Sequence, residues 1–292
     1  MATTGLGVTV RIRTVAAVVV ALAALAALGV YVAGRHWTGR LPLPRAGKEC
    51  TVQADGRVTL DSSQMANAAT IAAVGIRRGV PERGIAVALS AALQESKLEN
   101  LTGGDRDSVG LFQQRPSQGW GTPEQLRDPR YSAGRFYGAL LRVRGWEHMR
   151  VTEAAQAVQR SAYPEAYERW ADESRVLAMA LAGRVTGAVA CTVIGEPALR
   201  GAAAASALSE GLLLDWGAIP SADVLRLAMS VADSGAGWRY AHWLVAHATD
   251  RGVARVRFAG LEWTASEGVW APISTERSTG GGQVVAEVFG ER

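Results

Sequence analysis

The pattern of hydrophobic and polar positions differs sharply between the two ends of the chain. Residues 15–34 form an apolar run of Ala, Val, Leu, Gly and Tyr that contains no charged residue. From residue 61 onwards, apolar segments are bounded by capping and breaking residues, as in globular helices. Near the C-terminus, apolar and polar residues alternate over 253–258, which predicts a strand with one exposed face.

The apolar run 15–34 has the length of a membrane-spanning helix, since such a stretch covers roughly 30 Å of hydrocarbon. A cleaved signal peptide or a buried core helix is the alternative, but the run is long for a signal peptide and no clear cleavage site follows. We therefore predict a single-pass protein of the cell membrane with an uncleaved signal-anchor. Residues 1–14 are then cytoplasmic, residues 35–50 form a stalk, and the rest is extracytoplasmic.

The middle of the chain predicts a mainly helical domain over residues 51–192. Asp61 and Gln64 form a capping-box pattern for a first helix that ends near Gly79, and Pro81 begins a second helix that runs to about Lys97. Residues 99–121 are rich in glycine and predict a loop with a small β insertion. Further helices are predicted over 130–143, 152–160 and 164–184.

The last segment, residues 201–292, predicts a small α+β domain. Its predicted helices cover about 204–216, 221–234 and 238–250, and its strands follow over 253–258, 261–264, 269–271 and 283–289. Its tryptophans fit a small aromatic core. A wall polymer or a partner protein is a possible ligand of this domain, but no residue pattern in it identifies one.

The charge distribution argues against a nucleic-acid partner. The net charge is +4, but residues 1–50 carry six basic residues against Glu49 alone, so the remainder is close to neutral. Basic residues that flank an apolar run suit anionic lipid rather than nucleic acid. The sequence therefore predicts a membrane contact at the N-terminus and no nucleic-acid site.

The chain has two cysteines, Cys50 and Cys191, which bracket the predicted helical domain. In an exported protein a Cys50–Cys191 disulfide is the natural interpretation, and two free thiols are the alternative. The four histidines are scattered, and His242 and His247 are five residues apart, which does not place them on one helix face. The sequence therefore predicts neither a metal site nor a cofactor.

Glu95 is the strongest candidate for chemistry. Ala88, Ala91 and Ala92 share its predicted helix face, and small residues there allow close packing around the carboxyl group. Burial raises the pKa of a carboxyl group, and a protonated acid in a cleft can protonate a glycosidic oxygen. A surface Glu near a helix end is the alternative.

Two motifs together resemble the lysozyme-like superfamily, which contains goose-type lysozymes and soluble lytic transglycosylases. The segment Glu95-Ser-Lys-Leu98 is similar to its Glu-Ser-x-Leu motif, and Gly110-Leu-Phe-Gln113 is similar to its Gly-Leu-Met-Gln motif. The segment 154–162 matches a third motif loosely, and the loop 104–121 resembles a wall-associated, often membrane-anchored actinobacterial branch. The resemblance covers about residues 50–191.

This resemblance implies cleavage of the β-1,4 bond between N-acetylmuramic acid and N-acetylglucosamine in peptidoglycan, with Glu95 as the catalytic acid. It assigns Gln113 to the sugar-binding cleft, and amide side chains suit sugar hydroxyl and acetamido groups. We add four further cleft candidates, which are Ser96, Gln114, Trp120 and Tyr163.

Two mechanisms and two rival functions stay open at this point. A hydrolase uses a second carboxylate or a positioned water, for which Asp105 and Asp107 are candidates, whereas a lytic transglycosylase uses one acid and the 6-hydroxyl of the muramic acid. A catalytically inactive wall-binding or scaffold protein on the same fold is the first rival. A membrane transporter is the second, although a single apolar span forms no pathway by itself.

Overall fold

The computed structural model describes residues 49–193, 195–218, 220–223, 225–273 and 282–291. The predicted anchor over residues 15–34 and the predicted cytoplasmic residues 1–14 lie outside the described residues, as does nearly all of the predicted stalk. The prediction of a single-pass membrane protein is corrected, because none of the helices in the described part combines the length and the apolar character needed to cross a bilayer.

The helices of the described residues begin and end at well-defined capping residues. They are α1 (Ser62–Arg77), α2 (Glu82–Ser96), α3 (Pro123–Leu126), α4 (Pro129–Leu140), α5 (Val151–Gln159), α6 (Ala171–Leu181), α7 (Gly201–Trp216), α8 (Ser234–Ala246) and α9 (Ala248–Arg251). The predicted capping box of Asp61 and Gln64 is present at the start of α1, and Thr122 with Gln125 forms a second one at α3. Local side-chain hydrogen bonds therefore set both helix starts.

The strands form two antiparallel sheets. They are β1 (Glu49–Gln53), β2 (Arg57–Asp61), β3 (Val189–Cys191), β4 (Ser221–Asp223), β5 (Arg226–Ser230), β6 (Val253–Phe258), β7 (Leu261–Thr264), β8 (Trp270–Pro272) and β9 (Gln283–Val288). The first sheet has the order β2-β1-β3, and the second has the order β4-β5-β9-β6-β7-β8. The predicted strands at 253–258, 261–264 and near 283–289 are present in the second sheet.

The predicted fold class, a mainly α domain with a small β insertion and a separate small α+β domain, is wrong. The structure is about 47% helix and 17% strand, with two antiparallel sheets. The loop 99–121 contributes only an isolated bridge between Val109 and Gln114, and the first sheet is built instead from the two ends of the segment 49–191. Sequence-distant pairing of β1 with β3 is a tertiary event that local patterns do not reveal.

Residues 221–234 were predicted as a helix but form β4, β5 and the approach to α8. Their Ala, Leu, Arg and Met content favours a helix locally. In the structure Leu227 and Met229 are buried while Arg226 and Ser230 are exposed, which is the period-two pattern of a strand. Pairing of β5 with β9 supplies the hydrogen bonds, so tertiary context overrides the local preference.

One hydrophobic core connects the helices of the first half to the second sheet. Residues Gly47–Arg292 cluster as one compact unit, and α1 packs against both α4 and α8. The predicted boundaries at residues 192 and 201 stay a prediction. The predicted disulfide is present: Cys50 and Cys191 are direct partners in the register of β1 and β3, and their sulfur atoms are bonded.

The buried histidine His242 is structural. Its Nε2 accepts a hydrogen bond from the backbone N–H of Ala188 at 2.9 Å, and its Nδ1 lies 2.8 Å from the carbonyl oxygen of Ala180. Burial lowers the pKa of His242 to about 4, so the ring is neutral at pH 7. His242 joins α8 to the last turn of α6 and to Ala188, directly before β3. Among the described residues, no group of His, Cys, Asp and Glu has the arrangement of a metal site.

Candidate active site

Glu95 lies in the last turn of α2, where the helix ends abruptly. Lys97 and Leu98 have left-handed backbone conformations, with φ of 57° and 61°, and their N–H groups donate to carbonyls of the last helical turn. Such a cap terminates a helix cleanly. The chain therefore turns away directly after Ser96, which leaves Glu95 at the edge of the helical core and half-buried.

The Ser96 side chain joins the end of α2 to the glycine-rich loop. Its hydroxyl is buried and lies 2.7 Å from the carbonyl oxygen of Leu111. Gly110 has a φ of 77°, and a Cβ there would lie 2.3 Å from the carbonyl oxygen of Leu126, so only glycine fits. Ser96 thus positions the loop beside Glu95. It was predicted as a sugar ligand, but its hydroxyl is directed to the backbone.

Two side chains from other elements donate hydrogen bonds to the Glu95 carboxylate. The Tyr167 hydroxyl lies 2.7 Å from Oε1 of Glu95, and the Gln159 amide also donates to this carboxylate. Gln159 is further held by a 2.9 Å hydrogen bond to the carbonyl oxygen of Phe112, and the Tyr167 carbonyl accepts a 2.9 Å hydrogen bond from the Ser90 hydroxyl. Both donors are therefore fixed in place by the backbone around them.

Burial raises the pKa of Glu95, and the hydrogen bonds from Tyr167 and Gln159 partly offset that rise. Burial and the adjacent Glu95 charge raise the pKa of Tyr167, so its hydroxyl stays protonated and keeps donating. A carboxyl group with a raised pKa beside fixed donors combines the two properties that a general acid requires: a retained proton and a defined direction.

A polar cleft of about 430 Å³ opens beside Glu95. Its lining is rich in amide and hydroxyl side chains, which include Ser108, Gln113, Gln114, Gln118, Gln159 and Ser161. Trp120, which is half-buried, forms part of the wall. The cleft therefore offers hydrogen-bond donors and acceptors together with one aromatic surface.

A second cavity of about 570 Å³ continues this cleft. Gln118, Trp120, Gln159 and Arg160 line both cavities, so the two are adjacent parts of one groove. We call this continuous surface the groove.

Gln113 and Gln114, both predicted as cleft residues, differ in their surroundings. Gln113 has a left-handed backbone with a φ of 45°, and its side chain lies so close to Gly104 that a Cβ there would overlap it. Its amide donates to the carbonyl oxygen of Gly110 at 3.1 Å. Gln114 is buried, and its amide donates to the carbonyl oxygen of Ser132 at 3.3 Å. Both line the cleft, but Gln114 chiefly joins the loop to α4.

The two candidate second carboxylates do not pair with Glu95. Asp107 accepts hydrogen bonds from Arg115 Nε at 2.9 Å and from the backbone N–H of Ser117 at 2.7 Å, and these bonds lower its pKa. It does not line the cleft. Asp105 does line the cleft, but its side chain is 87% exposed and lies 3.8 Å from Arg106. Asp107 therefore organises the loop, and Asp105 lies in solvent at the rim.

The predicted Tyr163 is 76% exposed and does not line the cleft. Tyr167, four residues later, occupies the position beside Glu95, and sequence reasoning missed it together with Gln159 and Ser161. The buried Tyr167 comes directly before a short 3-10 helix, Glu168–Trp170, that leads into α6. No local sequence pattern indicates that its hydroxyl reaches Glu95.

No protein-family model matches the chain, and neither does any curated protein sequence. The resemblance to lysozyme-like proteins therefore rests on the motifs around Glu95. This resemblance stays a prediction.

Proposed function

We propose that this protein cleaves the β-1,4 glycosidic bond between N-acetylmuramic acid and N-acetylglucosamine in peptidoglycan. The observation that carries the proposal is Glu95: a half-buried carboxyl group with a raised pKa, held by Tyr167 and Gln159 at the side of a polar groove. A protonated carboxyl group in this position supplies the proton that the departing glycosidic oxygen needs.

The groove lining supports a polysaccharide substrate. Amides such as Gln113 and Gln118 both donate and accept hydrogen bonds, which suits sugar hydroxyl and acetamido groups. Trp120 offers a flat surface on which a sugar ring can stack. The groove extends past Trp120 in the second cavity, which leaves room for several sugar rings on one side of the reacting bond.

The carboxylates around the cleft favour the transglycosylase route over hydrolysis. Inverting hydrolases hold two carboxyl groups roughly 6.5–9.5 Å apart, and retaining ones place them closer still. Asp107 is engaged by Arg115 and Ser117, and Asp105 is exposed at the rim. In the route that we propose, Glu95 first protonates the glycosidic oxygen. The resulting carboxylate then removes the proton from the muramic acid 6-hydroxyl, which forms a 1,6-anhydro end.

The test is release of soluble fragments from purified peptidoglycan by the wild-type chain and by Glu95→Gln. We expect Glu95→Gln to lower the rate about 100-fold or more, because removal of a general acid typically has an effect of this size. The matched control is Glu99→Gln, which changes an exposed glutamate just beyond the helix end. Mass spectrometry of the fragments distinguishes anhydro ends from reducing ends by one water.

Equal rates for wild type and Glu95→Gln would contradict the proposal. If both proteins bind peptidoglycan and neither releases fragments, a wall-binding protein on this fold is the correct conclusion. Reducing ends in place of anhydro ends would leave Glu95 as the acid but would overturn the transglycosylase route.

A further inference from the structure

A cluster of arginines lines a third depression, of about 350 Å³, on the surface of α4. Its lining contains Arg78, Arg130, Arg135 and Arg142, with Tyr131 and two glycines, and it includes no carboxylate. We call these four residues the arginine cluster. Like charges at this spacing repel each other unless counter-charges balance them.

The Arg78 side chain lies against two glycines on the surface of α4. It is the C-cap residue of α1, and its two terminal nitrogens each lie 3.7 Å from the Cβ position of a helical glycine, one at Gly134 and one at Gly138. These glycines are one helical turn apart, so the edge of the guanidinium follows the helix surface. The absence of side chains at both positions leaves room for this close approach.

The charges of the cluster are only partly balanced by the protein. Arg130 pairs with the buried carboxylate of Asp215 at 2.5 Å and also lies 3.7 Å from Asp128. Arg135 donates one hydrogen bond, at 2.9 Å, to the carbonyl oxygen of Gly119. Arg78 and Arg142 are exposed, and their guanidinium groups form no hydrogen bond or ion pair with any of the described residues. Their donors are therefore open to a ligand.

The arginine cluster is continuous with the groove. Arg135 and Arg142 line both the depression and the second cavity, and that cavity adjoins the cleft of Glu95. A polymer strand that passes Glu95 and Trp120 along the groove reaches these arginines at its far end. The ligand of the cluster is therefore expected on the strand that occupies the groove.

We propose that the arginine cluster binds oxyanion groups carried by the glycan strand in the groove, and that it selects strands which bear them. This inference rests on the proposed function for the nature of that strand. Guanidinium groups present a planar set of donors that matches carboxylate and phosphate oxygens. In peptidoglycan the oxyanions are carboxylates of the stem peptides, and phosphodiester polymers attached to the wall are a second source of the same chemistry.

The test measures binding without cleavage, in the full chain with Glu95→Gln. Three insoluble ligands are compared by co-sedimentation: peptidoglycan with its stem peptides, the same glycan stripped of peptides, and stripped glycan that retains phosphodiester polymer. We expect Arg78→Ala with Arg142→Ala to weaken binding about tenfold on an oxyanion-bearing ligand, since charge-assisted contacts are the stronger hydrogen bonds. Binding to the stripped glycan is expected to stay unchanged.

The matched control is Arg83→Ala with Arg144→Ala, which removes the same charge from two exposed arginines that line none of these cavities. It is expected to bind as well as the parent protein. Raising the salt to about 0.5 M is expected to reduce the difference between the variants, because ions screen exposed charges. If the alanine pair lowers the thermal midpoint, single Arg78→Gln and Arg142→Gln variants replace it.

Each outcome decides the proposal. A loss only on peptide-bearing glycan supports carboxylates, a loss only on the phosphodiester ligand supports phosphates, and a loss on both supports oxyanions in general. Equal binding of the cluster and control variants to every ligand overturns it, as does an equal loss on stripped glycan. Because the readout is binding, the expected binding results together with a wild-type chain that releases no fragments would refute the proposed activity and leave the arginine cluster supported.

Discussion

At the scale of single residues, Glu95 shows two opposed effects on one carboxyl group. Burial disfavours the charged form and raises its pKa, whereas the donors Tyr167 and Gln159 stabilise the charged form and lower it. The first effect is the larger one. The side chain therefore keeps a proton more readily than a free glutamic acid does, and it also holds a fixed orientation.

Removal of the Tyr167 hydroxyl is expected to shift the pH dependence of cleavage. In Tyr167→Phe the carboxylate loses a donor, so the pKa of Glu95 rises further above its ordinary value. A general acid acts in its protonated form, so the alkaline limb of the kcat/KM profile moves to higher pH. The measurement is the rate of fragment release across the pH range. The matched control is Tyr163→Phe, because that tyrosine is exposed and outside the cleft.

An alkaline limb that stays in place in Tyr167→Phe would show that Glu95 is not the group that controls the rate. A movement of the limb in Tyr163→Phe as well would point to a general change in the protein instead of the hydrogen bond at Oε1.

At the scale of elements, the disulfide crosslinks two neighbouring strands of the first sheet, β1 and β3. β1 begins the described chain and β3 follows α6, so Cys50 and Cys191 are separated by 141 residues. β1 pairs with β2 on one side and with β3 on the other, and the sheet packs against α6. The crosslink thus fastens the two ends of the helical segment that carries Glu95, Tyr167 and Gln159.

Replacement of both cysteines by serine is expected to lower the free energy of unfolding by about 2–5 kcal/mol, because a crosslink over a long loop restricts the unfolded chain. The measurement is denaturant unfolding of wild type and Cys50→Ser/Cys191→Ser. A reducing agent is expected to destabilise the wild type to a similar degree and to leave the double variant unchanged. Equal unfolding midpoints for both proteins would contradict a stabilising role.

At the scale of the whole molecule, Asp215 connects the two halves of the chain. This fully buried carboxylate on α7 accepts hydrogen bonds from Thr70 on α1 at 3.0 Å and from Trp243 on α8 at 2.8 Å, and it pairs with Arg130 on α4. His247 lies 3.4 Å from the Thr70 hydroxyl and 3.1 Å from Asp250. The helices that frame the groove are thereby joined to the C-terminal half through one polar network.

Asp215→Asn is expected to lower the free energy of unfolding by about 3–5 kcal/mol, because it removes the buried partner of an ion pair and leaves Arg130 with only the more distant and more exposed Asp128. The matched control is Asp172→Asn, a 94% exposed aspartate at 3.8 Å from its arginine, for which the expected change is within about 0.5 kcal/mol. Denaturant unfolding measures both. Similar unfolding midpoints for the two variants would show that the Asp215 network contributes little to the free energy of unfolding.

Structural features that depend on short-range interactions could be predicted from the sequence alone. The helix starts at Asp61 and Thr122 follow from side chains that bond to backbone groups three residues away, and such short-range bonds are readable from the sequence. The position of Glu95 in the last turn of α2 and the strand over 253–258 follow from spacing in the same way. The pairing of Cys50 with Cys191 was predicted because the chain has no other cysteine, with two free thiols as the alternative, and the structure contains the disulfide.

The tertiary structure decided the features that depend on proximity through space. Residues 226–230 form a strand because they pair with β9, and the Tyr167 hydroxyl contacts Glu95 whereas Tyr163 is exposed. The Asp107 carboxylate pairs with Arg115. The arginine cluster combines Arg78 at the end of α1 with arginines in and directly after α4. Spacing along the chain carries no information about these distances, because burial and long-range contacts arise only when distant segments pack together.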